Sequence, residues 1–367
     1  MDVLWFFPTS GDERYLGSPV LKREAHAGYL KQIATALDEL GYFGALLPTG
    51  TDCEDAWITA SYLAAVTRRL RFLVAIRPSI TTPSVAARMA ATFDRLTQGR
   101  VLINVVTGSG QAAMEADGVF VDHEKRYEVT DEFLTIWRSL LRDGRADLEG
   151  EYLQIRNGHI AFPPVQKPYP PLYFGGSSEE GIRVGAKHAD VYLTWGEPPA
   201  MVAEKVARAR EAASREGRTL RFGIRLHVVV RETMSEAWDA ANRLISHLDD
   251  AKIAAAQQRI TNRNAEGQRR QQALHGGRRE NLEVSPNLWA GIGLVRPGAG
   301  TALVGDPETV AARLREYADL GLDTFILSGY PHLEEAYRFA ELVFPLLPMP
   351  DRQGEQDASV GAVRRIS

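Results

Sequence analysis

Short apolar runs with little polar interruption recur along the chain, and each is followed by a longer stretch in which apolar residues return every three to four positions. Val3–Phe7, Gly44–Leu47, Arg71–Ile76, Val101–Val106, Pro171–Phe174, Val191–Thr194, Leu220–Val230 and Thr324–Leu327 read as strands. Gly28–Leu40, Asp55–Arg68, Ser84–Leu96, Arg126–Arg142, Glu179–Lys187, Met201–Arg215, Ser235–Leu248 and Leu333–Phe344 carry the helical period. Eight strand-then-helix units in one chain predict an α/β fold of the (β/α)8 TIM-barrel type. Phe72-Leu-Val-Ala-Ile76 shows no polar alternation, as expected of a strand covered on both faces inside a closed barrel. A doubly wound open sheet would place a Gly-x-Gly-x-x-Gly turn after the first strand, and none stands there.

Segments outside this alternation set the boundaries. Asp147–Phe162 has strand character around Asn157-Gly158, a pair suited to a tight turn, and predicts a small hairpin outside the barrel. Asp250–Gly300 is a long insertion between the seventh and eighth strands, rich in Gln and Arg. The expected organisation is one barrel domain over 1–347, with a mobile lid at 250–300 and a polar C-terminal tail at 348–367.

Composition narrows the function classes. The chain has 367 residues, 44% hydrophobic and 25% charged, with a net charge of −4, so bulk charge gives no affinity for nucleic acid or an acidic membrane. No apolar run approaches the ~20 residues of a membrane helix. The N-terminus lacks the pattern of a secretory signal, so a cytoplasmic location is expected. Cys53 is the single cysteine, which excludes an intramolecular disulfide, and metal-ligand spacing of cysteines is absent.

A barrel of this type carries its active site at the C-terminal ends of the strands, which makes polar residues there the candidates. Arg225 and His227 stand two apart in the apolar run Phe222-Gly-Ile-Arg-Leu-His-Val-Val-Val230. The period of a strand puts both on one face, where they are costly to bury unless they meet a partner or an anion. Gly175-Gly-Ser-Ser178 lies between a strand and a helix, so Gly176, Ser177 and Ser178 suit a phosphate; an ordinary capped turn is the alternative. Asn104 and Thr107 end the fourth strand and can hydrogen-bond a flat polar ring. His123 and Tyr127 fall at i, i+4 on a helix capped by Asp122, either reaching a phosphate or stacking at the surface.

Cys53 sits in the capping-box pattern Thr51-Asp-Cys-Glu54, hence in the first turn of a helix, where the dipole lowers a thiol pKa. Trp195 closes the sixth strand as a candidate pocket wall. Arg296, flanked by glycines late in the insertion, suits a lid that brings a cation onto a bound anion, though a plain surface arginine fits the same pattern. Tyr330 and His332 follow the eighth strand, where a phenol can donate a proton or bind an anion. Gathered on one rim, these residues favour an anionic substrate with a phosphorylated cofactor.

Six stretches carry a family resemblance: Thr51-Asp-Cys-Glu-Asp-Ala-Trp57, Tyr169-Pro-Pro-Leu-Tyr-Phe-Gly-Gly-Ser-Ser178, Leu193-Thr-Trp-Gly-Glu-Pro-Pro199, Phe222-Gly-Ile-Arg-Leu-His227, Ser285-Pro-Asn-Leu-Trp-Ala-Gly291 and Leu327-Ser-Gly-Tyr-Pro-His-Leu-Glu-Glu-Ala336. From about Leu4 to Leu347 the chain resembles the reduced-flavin-dependent alkanesulfonate monooxygenases of the bacterial luciferase-like superfamily. The resemblance implies a two-component system. A separate NAD(P)H-dependent FMN reductase supplies FMNH2, which this chain binds and reacts with O2, oxygenating the carbon that bears a sulfonate and releasing an aldehyde and sulfite.

It further implies that Arg225, His227, Arg296 and Tyr330 bind the sulfonate and assist proton transfer, with His332 beside them. Trp195 would line the pocket, Cys53 would tune the flavin or oxygen step, and the insertion would close as the lid. Asn104, Thr107, His123, Tyr127, Gly176, Ser177 and Ser178 match positions that hold FMN. Arginine stays protonated, so Arg225 and Arg296 are expected to bind charge, leaving proton abstraction to the flavin–oxygen adduct or His227. A homo-oligomer is expected.

Ser10 stands where close relatives carry histidine, and Pro19–Glu24 departs from their acidic run. A sulfosugar (sulfoquinovose), contacted by Ser10, or methanesulfonate therefore remain alternative substrates. A deazaflavin-dependent dehydrogenase and a non-catalytic flavin-binding protein are further readings of the same barrel.

Overall fold

The computed structural model describes residues 1–108, 110–261 and 265–349. The chain runs β1 (Asp2–Phe6), α1 (Ala27–Leu40), β2 (Gly44–Leu47), α2 (Ala56–Ala64), β3 (Arg71–Ile76), α3 (Pro83–Thr97), β4 (Val101–Val105), a short α4 (Gln111–Ala116) and α5 (Lys125–Asp143). It continues through β5 (Arg145–Glu149), β6 (Gln154–His159), β7 (Leu172–Gly175), α6 (Glu179–His188), β8 (Val191–Trp195), α7 (Pro199–Arg215), β9 (Arg221–Arg225), β10 (His227–Val230) and α8 (Met234–Leu244). Then follow α9 (Asp250–Thr261), α10 (Glu266–His275), β11 (Glu283–Ser285), β12 (Leu288–Trp289), β13 (Ala302–Gly305), α11 (Pro307–Asp319), β14 (Leu322–Ile326) and α12 (His332–Leu342).

Eight parallel strands close a barrel in the order β1-β14-β9-β8-β7-β4-β3-β2, which is the (β/α)8 fold expected from the sequence. Period two sorts each strand. Leu4, Leu46, Leu73, Leu102, Tyr173, Val191 and Ile326 meet inside the barrel. Val3, Trp5, Val74, Ile103, Phe174, Ile224 and Phe325 face out into the shell of helices. Each such side chain contributes roughly 1.5–3 kcal/mol of transfer free energy on burial. The helices follow the same logic: α1 buries Leu30, Ile33, Ala34 and Leu37 at helical spacing and stops at Gly41, whose φ of 84° is open to glycine.

Several sequence expectations need correction. Leu220–Val230 is not one strand. Barrel pairing of β9 with β8 and β14 ends at Arg225, and β10 then pairs with β13 in a separate four-stranded sheet, β10-β13-β12-β11. At the junction Leu226 donates to Ile326, whereas His227 donates to Thr301, so the ladder changes partner there. The 147–162 hairpin exists as β5–β6, but its turn lies at 150–153, held by the Glu132 carboxylate on the backbone N–H groups of Glu151, Tyr152 and Leu153; Asn157-Gly158 is inside β6.

The sequence reading assigned no element to 301–323, where β13 and α11 lie. The insertion holds the helices α9 and α10, and its β11 and β12 extend the second sheet. Residues 350–367 of the expected tail lie outside the described residues.

Candidate active site

At the C-terminal mouth of the barrel a cavity of about 210 Å³ is lined by Asn104, Thr107, Gly108, His123, Tyr127, Gly175, Gly176, Ser177, Ser178, Trp195 and Arg225, among others. Each wall follows from a strand or its exit. Asn104 and Thr107 leave β4, Gly175–Ser178 join β7 to α6, Trp195 ends β8 and Arg225 ends β9. Ser178 caps α6 by accepting from the N–H of Gly181 at 3.1 Å. Gly176 permits this tight junction, because a Cβ there would stand 2.9 Å from the Cα of Gly181. All seven residues expected to hold FMN line this one cavity.

The remaining wall comes from the insertion. Ala265, Glu266 and Gly267, at the start of α10, line the cavity, and a Cβ on Gly267 would lie 3.1 Å from the Trp195 ring and 3.4 Å from Ser177 Oγ. The sequence reading missed these residues; their position is set by α10 docking across the mouth. A buried charge cluster fixes that docking. Glu197 is 1% exposed and accepts two hydrogen bonds at 2.8 Å from Arg270 of α10, while Lys205 of α7 reaches it at 3.3 Å. Gln271 adds a hydrogen bond to the Gly196 carbonyl at 2.8 Å.

Arg225 lies deep in the cavity wall. Its guanidinium donates to Ser328 Oγ at 2.7 Å and to the carbonyls of Leu226 and Ile326 (3.4 Å for the latter), and it sits 4.8 Å over the Phe6 ring. None of these partners is an acid. Burial pulls its pKa down to about 10, which leaves it a cation at neutral pH.

Ser328 ties Arg225 to His227. The Ala299 carbonyl can only accept, so His227 Nε2 donates to it at 3.0 Å; Nδ1 of the neutral ring then accepts from the Ser328 hydroxyl at 2.7 Å, whose oxygen accepts from the arginine. Both ring nitrogens are committed. Burial, with Arg225 second, pushes the imidazole well below the ordinary histidine range, so it is neutral. The geometry leaves His227 no free lone pair, which argues against the histidine among the two candidate bases, the flavin–oxygen adduct and His227. The Tyr330 ring stacks on it at 5.4 Å, and burial raises the phenol pKa against the opposing pull of Arg296 and Arg225.

Arg296 lies 5.7 Å over the Tyr330 ring and forms an ion pair with Glu13 at 3.1 Å. Its charge is therefore already matched, unlike that of Arg225. His332 donates its backbone N–H to Asp12 at 2.7 Å and its Nδ1 contacts the same carboxylate at 2.9 Å, with Tyr29 as a further donor. Burial raises the Asp12 pKa, but His332 and Tyr29 outweigh it and the net shift is downward. Of the residues expected to bind substrate, Trp195 and Arg225 line the cavity; His227, Arg296, Tyr330 and His332 lie outside its lining, as do their partners Ser328, Glu13 and Asp12, which the sequence did not mark. Ser328 lies in the Leu327–Ala336 stretch that carries the resemblance, one residue beyond the eighth predicted strand.

Three expectations move. Cys53 precedes its helix instead of entering its first turn: α2 begins at Ala56 and Asp55 is the cap, accepting from Ile58 N at 2.8 Å. The dipole argument for its thiol is lost, and Cys53 does not line the cavity. Ser10 is exposed and also outside the lining. His123 precedes α5, so the helical i, i+4 geometry does not apply, yet its ring still meets Tyr127 edge-on at 5.5 Å.

A closed parallel barrel with an extra sheet, and with a cavity of mixed apolar and polar lining at its C-terminal mouth, defines the class. The chain belongs to the luciferase-like monooxygenase family, whose sequence model matches residues 1–324. Solved structures share the fold at low identity. A riboflavin lyase with modified FMN and substrate riboflavin is 22% identical with a TM-score of 0.78, covering 94% of this chain and 90% of that one. A long-chain alkane monooxygenase is 20% identical with a TM-score of 0.77, covering 94% and 89%. An F420-dependent secondary alcohol dehydrogenase in complex with an F420-acetone adduct is 16% identical with a TM-score of 0.69, covering 95% and 99%.

Proposed function

We propose that this chain is the oxygenase of a two-component system, using reduced FMN and O2 to release sulfite and an aldehyde from an organosulfonate, with alkanesulfonates as the first substrate class. One observation carries the substrate reading: Arg225 presents a cation to the cavity and is satisfied only by neutral groups. A guanidinium held in that way lacks a counter-charge, and a permanently ionised sulfonate supplies one in bidentate geometry. Arg296, already paired with Glu13, contributes less net attraction.

The cavity suits a flavin mononucleotide by its donor set. Asn104 and Thr107 offer amide and hydroxyl groups for a polar ring, while His123, Tyr127, Ser177 and Ser178 gather neutral donors for a phosphate. When bound, the reduced flavin supplies the electrons that activate O2. The chain's own groups do the rest. Arg225 fixes the sulfonate, and Tyr330, kept protonated, holds a proton near it. Ser328 and neutral His227 brace the arginine. Trp195 and Gly267 exclude water where α10 crosses the mouth. A separate NAD(P)H-dependent reductase supplies the flavin in this reading.

The test is direct. The chain is given FMNH2, O2 and a panel of linear alkanesulfonates, methanesulfonate and sulfoquinovose, and sulfite is assayed. Sulfite from linear alkanesulfonates is expected. Sulfite from none of the panel would reject desulfonation, and turnover of an alcohol with F420 in the absence of O2 would favour the dehydrogenase reading.

A further inference from the structure

Arg126, in the first turn of α5, is 1% exposed. Among the described residues no carboxylate lies within ion-pair distance of it. Its guanidinium donates to Gln111 Oε1 at 3.1 Å, to the Val121 carbonyl at 3.1 Å and to His123 Nδ1 at 2.9 Å, while its Nε has no partner. A buried cation whose hydrogen-bond partners are all neutral is costly, with Asp122 offsetting the cost only from beyond ion-pair distance, and all three partners lie on the connection from β4 to α5. That connection delivers His123 to the cavity.

A guanidinium has donors and no acceptor, so the Nδ1 lone pair of His123 must accept. The neutral ring then carries its proton on Nε2, on the side away from Arg126. A second proton at Nδ1 would face the guanidinium directly, so the contact selects one tautomer and disfavours the imidazolium. Burial, then Arg126, holds His123 below the ordinary histidine range; Arg269 acts in the same sense, and Glu124 and Glu180 oppose it. At this end of the cavity stand Tyr127, Ser177 and Ser178, beside the start of α6. The first turn of α6 also holds Glu179 and Glu180, and Glu266 is on the cavity wall, acids that oppose an anion; Glu179 is paired with Arg208 and Glu266 with Arg269.

We propose that Arg126 is a positioning residue: it fixes His123 as an Nε2–H donor to the phosphate monoester of a bound flavin and places a buried positive charge behind that donor. The proposal rests on the flavin mononucleotide reading above. It predicts discrimination between FMN and riboflavin, which differ by that phosphate.

The experiment combines nitrogen-15 NMR of the histidine rings with fluorescence titration of FMN and of riboflavin, on wild type, Arg126→Met and Arg126→Lys, the His123 signals being assigned with His123→Asn. Wild type is expected to show His123 with Nδ1 unprotonated. Arg126→Met should weaken FMN on the order of tenfold, as expected for a lost charge-assisted contact, and leave riboflavin within about twofold. Arg126→Lys, which keeps a cationic donor and guards against a folding failure of the methionine variant, should retain the tautomer and most FMN affinity. An Nδ1–H ring in wild type that still binds FMN would overturn the proposal alone, as would an equal loss of both flavins in Arg126→Met. If wild type binds neither flavin, the flavin reading fails, and the phosphate role of Arg126 fails with it.

Discussion

Charge compensation separates residues that the sequence presents alike. Arg225 and Arg296 are both arginines near Tyr330, but Glu13 matches only Arg296. Arg225→Met should therefore lower kcat/KM for a sulfonate by roughly two orders of magnitude, since losing a desolvated charge contact costs about 2–5 kcal/mol. Steady-state kinetics with wild type and variant check this, and an unchanged kcat/KM would remove Arg225 from the anion site. His227 is the second case. Folding holds it below the ordinary histidine value, so as pH falls the unfolded chain takes up this proton first. Its contribution is complete above about 6.5 and is lost progressively as pH falls from there toward the folded value. The stability gap between wild type and His227→Gln should shrink from about pH 7.5 to about pH 5, read from thermal melts; a constant gap would contradict a neutral His227.

Among the elements, α10 is held in part by a buried charge contact. Glu197 is buried between Arg270 and Lys205, and it ties the insertion to the exit of β8. Glu197→Ala leaves two cations facing each other in a buried site, which should cost about 3–5 kcal/mol. Urea unfolding should report the loss, and limited proteolysis should cut the 250–300 segment faster. An unchanged midpoint together with unchanged cleavage would show that α10 is held by other means. Local signals placed most elements within a few residues, because β3 and β2 are apolar runs bounded by charge or glycine, and α3 opens on Pro83 at its first turn. The misplacements share a cause. The Thr51–Glu54 capping pattern lost to Asp55, which reaches Ile58 N, while Glu54 N–H turns to the Thr9 carbonyl at 3.2 Å and seats the turn on the exit of β1.

For the molecule as a whole, α2 leaves two large apolar side chains exposed. Ile58 is 73% exposed and Tyr62 47%, one turn apart on α2. The homo-oligomer expected from the family resemblance can be tested on this pair. Ile58→Asp should lower the mass measured by light scattering in solution; an unchanged mass would place any oligomer contact elsewhere. Among the described residues no helix is long and apolar enough to cross a membrane.

The barrel was legible in the chain alone, because period two, period 3.6 and their alternation are local properties of the chain. The sequence also marked the polar residues at strand ends, because strand direction alone says which end opens onto the site. Tertiary structure decided which of those residues meet and in what protonation state. His227 became a spent brace when β10 left the barrel for a second sheet and Ser328 and Ala299 took both its nitrogens. Arg296 acquired Glu13 from 283 residues earlier in the chain (296 − 13), and α10 supplied a wall that no strand end announces. These are long-range pairings. Their partners are set by how elements dock, and no local pattern of hydrophobic and polar positions encodes a distance between side chains that the fold alone brings together.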